Sequence, residues 1–168
     1  NLVSVIDIAT ENVVTIEVGD KPDEMVFGTN NDLYVLSEGR TLYNADWSAV
    51  LGHTPATIKV IDLDTNAVSK TYDFADETHP SLMVSNGDKL YYYLSGNVYE
   101  FAFNAETLPS SVFLESGYIY GMAVNDTHFF TTVSDFSSLS DLNIYSKDSK
   151  SLEASLKVAL GASKIYFN

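Results

Sequence analysis

Cysteine is missing from all 168 residues, which excludes disulfides, zinc–thiolate centres and cysteine nucleophiles. Cations are scarce. Nine Lys and Arg stand against 23 Asp and Glu, giving a formal net charge of −14 and a pI near 4.3. Such a surface repels phosphate backbones and disfavours anionic membranes, so nucleic acid is not an expected partner. Its plainest role is solubility, with attraction of cations as the alternative. Three His and one Arg are too few for the converging clusters that hydrolytic or redox sites need. Binding rather than catalysis is expected, without cofactor or metal. No run of 18 apolar residues is present to span a bilayer as a helix, and Asn1-Leu2-Val3-Ser4 does not read as a signal peptide. What is abundant is strand chemistry: 11 Tyr, 9 Phe and many Val, Ile and Thr, side chains that suit a pleated, half-buried surface.

The dominant pattern is a repeat. Val5-Ile6-Asp7-Ile8-Ala9-Thr10 returns as Val60-Ile61-Asp62-Leu63-Asp64-Thr65, more loosely as Tyr99-Glu100-Phe101-Ala102-Phe103, and again as Leu142-Asn143-Ile144-Tyr145-Ser146. Ile6, Ile61, Phe101 and Ile144 are read as equivalent. Each copy is followed by a second strand, the third by Ser110 to Leu114. Met25, Met83, Met122 and Ile165 mark another equivalent set, each of the first three followed by a turn and a further strand. Helical periodicity is lacking. Four short strands per unit of about 40 to 45 residues is the signature of a β-propeller blade.

We therefore expect an all-β chain, a β-propeller of four-stranded antiparallel blades. Naming strands A to D outward, residues 1–168 form a single partial propeller: strands C–D, three complete A–B–C–D sets, and a final A over Ser163 to Phe167. The total is fifteen strands. Both ends fall mid-blade, so the chain is expected to be the C-terminal half of a longer one, with Asn168 its natural end and the remaining half needed to close the ring.

Val5-Ile6-Asp7-Ile8-Ala9-Thr10 through Val18-Gly19-Asp20-Lys21-Pro22 and Leu33-Tyr34-Val35 resembles the YVTN-type (YncE-like) propeller repeat. Val98-Tyr99-Glu100-Phe101 through Leu108-Pro109-Ser110-Ser111, Tyr120-Gly121-Met122-Ala123-Val124 and Thr132-Val133-Ser134-Asp135-Phe136 are similar to the surface lipoprotein propellers of gut Bacteroidetes. The resemblance implies a seven-bladed ring, of which this is about half. It also implies an outer-membrane lipoprotein at the cell surface, or a periplasmic location. Some members of that branch capture cobalamin beside an outer-membrane transporter, so the expected function is capture of a nutrient-sized, cobalamin-like ligand for uptake. The alternative is a protein–protein scaffold docking a partner such as that transporter. A propeller enzyme ranks behind both.

In a propeller the D–A and B–C connections gather on one face, and candidate contacts follow from that. The B–C stretch Gly39 to Thr57 is about fifteen residues longer than its counterparts and carries Arg40, Tyr43, Asp46, Trp47 and His53. Long loops are uncommon unless functional or disordered, and amphipathic rings supply contact area at low entropic cost. Trp47 and Tyr43 either contact ligand or tuck back to anchor the loop. The last B–C loop adds Asp135, a ligand contact or a turn cap, and Phe136. The D–A connections add Lys21 and Asp23, and Tyr118 with Tyr120, with His79 read as a loop residue making a local hydrogen bond. Asp62 to Asn66 opens like a calcium loop but has Ala67 where glycine is needed, and Asn125-Asp126-Thr127 matches a glycosylation sequon.

Overall fold

The computed structural model describes residues 1–167; Asn168, expected as the natural end, lies outside them. All regular structure among the described residues is β, in sixteen strands. β1 (Leu2–Ile6) and β2 (Val13–Glu17) form a two-stranded sheet. β3 (Pro22–Phe27) and β4 (Asp32–Ser37) precede a separate hairpin, β5 (Arg40–Tyr43) and β6 (Val50–Thr54). Then β7 (Thr57–Asp62) and β8 (Ala67–Asp73) complete a four-stranded sheet in the order β3-β4-β7-β8. β9 (Ser81–Asn86), β10 (Lys89–Leu94), β11 (Asn97–Ala102) and β12 (Leu114–Glu115) form the next sheet. β13 (Gly121–Val124), β14 (His128–Val133), β15 (Leu139–Ser146) and β16 (Leu152–Leu160) form the last.

The chain divides into two compact units, residues 1–81 with 106–108, and residues 82–105 with 109–167. In the first, one face of the β1–β2 pair lies on the β3-β4-β7-β8 sheet through Ile16, Val18, Val35 and Ile61, flanked by Val3, Val5 and Leu33. In the second, Tyr91 and Val98 of one sheet meet Met122, Val124 and Phe129 of the next, with Phe113 and Ile119 filling the layer. The rings interlock, Tyr91 lying edge-on to Phe113 at 5.2 Å and tilted to Phe129 at 5.5 Å, a geometry that the ring quadrupoles favour. Central strands are buried on both faces, which is why β4 and β10 read as continuous apolar runs, Leu33-Tyr34-Val35-Leu36 and Leu90-Tyr91-Tyr92.

Three of the C–D turns are built alike. Asp7 accepts the N–H groups of Ala9 and Thr10, and Asp62 accepts those of Asp64 and Thr65. Ser146 accepts from Ser149. Four residues after each stands a left-handed residue: Glu11, Asn66 and Lys150, at φ 58°, 54° and 60°. The Asp62 carboxylate is thus committed to its own turn, and Asp64 accepts from Asn31.

Four expectations are corrected. The long stretch after β4 is not a loop: Leu42-Tyr43 and Val50-Leu51 flank a turn and pair as β5–β6. Ser163 to Phe167 carries no strand, so the count of fifteen fails at both points. Ser110 to Phe113 is irregular as well, and β12 is only Leu114–Glu115, because the preceding turn departs from the shared design and Pro109 cannot donate to a ladder. Finally, Leu33 pairs with Ile61 and Phe129 with Tyr145, which makes Tyr145 rather than Ile144 the counterpart of Ile61. A one-residue slip turns a side chain to the opposite face.

Candidate functional site

In the first unit, the B–C hairpin meets both D–A connections at its base. Gly39 turns the chain out of β4 at φ 63°. The Arg40 guanidinium then donates through Nε and Nη2 to both carboxylate oxygens of Asp20, and Thr54 Oγ1 donates to the same group at 2.9 Å. The Arg40 hydrogen bonds hold the Asp20 carboxyl down at about 2. On the opposite side of the strand pair, His53 Nδ1 lies 2.8 Å from His79 Nε2, with the rings stacked at 5.1 Å. His79 Nδ1 donates to the Glu38 carbonyl oxygen at 2.8 Å, so its bond is long-range rather than local. Thr41 Oγ1 lies 3.3 Å and 3.4 Å from the two imidazole nitrogens. The Glu38 carboxylate pairs with Lys21. Burial nonetheless outweighs that pairing and raises its pKa.

The far end of the hairpin is apolar and exposed. Tyr43 and Trp47 stack at 5.1 Å with 29° between planes, and Trp47 is 75% exposed. Leu42, Val50 and Leu51 are exposed beside them. The turn that carries Trp47 is braced from within: Asn44 Oδ1 accepts the Ala49 N–H, Asp46 accepts the N–H and hydroxyl of Ser48, and Trp47 donates to the Asn44 carbonyl while holding φ 61°. Those Ser48 bonds lower the Asp46 pKa. Trp47 and Tyr43 therefore anchor to each other and leave their outer surfaces to solvent.

In the second unit, Phe136 lies edge-on to Tyr120 at 4.8 Å, again joining a B–C loop to a D–A connection. Tyr118 is exposed. Asp135 accepts the N–H groups of Ser137 and Ser138, bonds that hold its carboxyl at about 2. It caps a turn.

The nine nominated residues thus fall into two groups, Arg40, Tyr43, Asp46, Trp47 and His53 in one unit and Tyr118, Tyr120, Asp135 and Phe136 in the other. Sequence reasoning missed Asp20, the anchor of the hairpin, and the apolar trio Leu42, Val50 and Leu51. The signal for the trio was available, since paired apolar residues flanking Asn44-Ala45-Asp46 describe a hairpin. Asp20 had no local signal, because its partners lie 20 and 34 residues away. Two open hollows adjoin the hairpin base, one of about 410 Å³ lined by Gly52, His53, Thr54, Pro55, Asp76 and Glu77, and one of about 240 Å³ lined by Asn1, Asp20, Lys21, Pro22 and Arg40.

No protein-family model matches the chain, and no curated protein matches it either. Among solved structures the fold is similar to that of the computationally designed Ika8 protein, in a crystal form of space group P63. The TM-score is 0.50 at 10% sequence identity, over 99% of this chain. The chain spans 59% of the length of that designed protein. The likeness is one of fold alone.

Proposed function

We propose that this chain is part of a β-propeller, about half of a seven-bladed ring of the YVTN type, and that it is a binding module whose contact element is the β5–β6 hairpin. One observation carries the reading: a braced turn presents Trp47, stacked on Tyr43, with Leu42, Val50 and Leu51 exposed around it. Apolar patches of this kind on a soluble surface mark interaction sites, and aromatic anchors dominate binding energy at protein interfaces. The tip is open to solvent, with Trp47 75% and Leu51 70% exposed. Small-ligand sites are concave, so the form of the hairpin favours docking to another protein over capture of a small molecule. The resemblance noted above supplies the partner class, an outer-membrane transporter, and a location at the cell surface or in the periplasm.

The hollow beside His53 supports a second reading, capture of a nutrient-sized ligand, for which the resemblance suggests cobalamin. About 410 Å³ lies at the small end of ligand pockets.

Affinity capture with wild type and with Trp47→Ala and Leu51→Asp separates the two. Docking predicts a partner held by wild type and lost at least about tenfold by both variants, as for a hot-spot residue, with thermal midpoints unchanged. Equal capture by all three removes the hairpin tip from the interface. A thermal shift with cobalamin that disappears in His53→Ala would favour the second reading instead.

A further inference from the structure

We propose that His53 and His79 form a proton-sharing latch that fixes the β5–β6 hairpin until a second proton enters the pair, and so make the pose of the hairpin pH-dependent. The functional consequence rests on the docking reading of that hairpin; the latch itself rests on geometry.

The proton positions follow from the partners. A carbonyl oxygen only accepts, so His79 Nδ1 carries a hydrogen toward Glu38 O. In neutral His79 the Nε2 lone pair then faces His53, whose Nδ1–H donates across the 2.8 Å contact. One added proton leaves this bond intact. It resides on His53 Nε2, or the bridging hydrogen moves to His79 and His53 gains one at Nε2, and in either case a single hydrogen lies between the rings. A second added proton makes both imidazoles cationic. Two N–H donors would then face each other at 2.8 Å, between rings whose centres are 5.1 Å apart, and the contact must open.

Charged groups stand on the elements packed against the hairpin base. Asp76 and Glu77 line the hollow with His53. Glu38 is engaged by Lys21 and feels Asp23, while Asp20 is engaged by Arg40. The Asp20 clasp is insensitive to mild acid, since its carboxyl stays ionised far below the histidine range. Loss of the histidine contact therefore frees one side of the hairpin base while the other holds: a hinge, not unfolding.

The chain contains a single tryptophan, and it stands at the hairpin tip. Steady-state anisotropy of Trp47, followed from pH 8 to 4.5, is expected to fall at the second protonation step. In His53→Gln and His79→Gln that step should be absent. In His128→Gln it should persist, because His128 bonds Glu153 in the other unit. Imidazole ¹⁵N NMR of the wild type should show a shared N–H between the two rings at pH 8 and its loss at the step that moves Trp47. A flat Trp47 profile, or a spectrum with no shared N–H between the His53 and His79 rings at pH 8, overturns the latch. Either result leaves the docking reading standing, and failure of capture at neutral pH would overturn that reading without touching the latch.

Discussion

Gly39 is the residue on which the hairpin turns. At φ 63°, a Cβ would lie 2.4 Å from the Thr54 carbonyl oxygen and 2.9 Å from the Pro55 carbonyl carbon, backbone atoms that cannot swing aside. Left-handed backbone costs a residue bearing a Cβ about 1–2 kcal/mol, and the collision adds to it. Gly39→Ala is expected to lower stability by more than about 2 kcal/mol, read as a shifted urea midpoint at unchanged slope. At this scale the sequence was only half legible. Asp46 and Asp135 stood out as acidic residues on exposed loops, yet both spend their carboxylates on the N–H groups of nearby serines, as Asx turns do. Trp47 stood out by its rarity, and it stands exposed at the hairpin tip. His79 looked local because the carbonyl it bonds is 41 residues distant, a separation that no window of sequence encloses.

Burial at equivalent strand positions gives the elements an internal control. Met122 and Met83 are 6% and 2% exposed, whereas Met25 is 55% exposed; likewise Ile61 is fully buried and Ile6 is 60% exposed. The reason is local. Met122 meets the neighbouring sheet of its unit, but the sheet before β3 consists of only two strands, β1 and β2. Met122→Ala should therefore cost about 2–5 kcal/mol and Met25→Ala no more than about 0.5 kcal/mol, compared by chemical denaturation of the two variants. Equal losses would overturn this account of why the two methionines differ. Strand identity was readable here because apolar alternation and turn residues recur at short range. The hairpin inserted between β4 and β7 was misread as a loop, since it interrupts the period, and the register of β15 was misread because Ser146 replaces the Asp that marks the turn in the first two copies. Where Asp7 and Asp62 announce a C–D turn, the hydroxyl of Ser146 does the same work without the recognisable letter.

For the molecule as a whole, the governing quantity is a net charge of −14 on 168 residues. Self-repulsion of that size opposes the compact state and is screened by salt, with a Debye length of about 10 Å at 0.1 M. Raising sodium chloride from about 20 mM, where the Debye length exceeds 20 Å, to about 500 mM, where it is under 5 Å, is expected to raise the melting temperature. A midpoint that falls instead would mean that the ion pairs Lys21–Glu38, Arg40–Asp20 and Lys157–Asp141 outweigh the global field. The three like-built C–D turns bear on a different question. Glu11, Asn66 and Lys150 share a left-handed conformation while sharing no side-chain chemistry. Heredity can therefore erode every letter of such a turn and keep its bend. Architecture that outlives spelling in this way hides the third turn from a comparison of letters and leaves it plain in the dihedral angles.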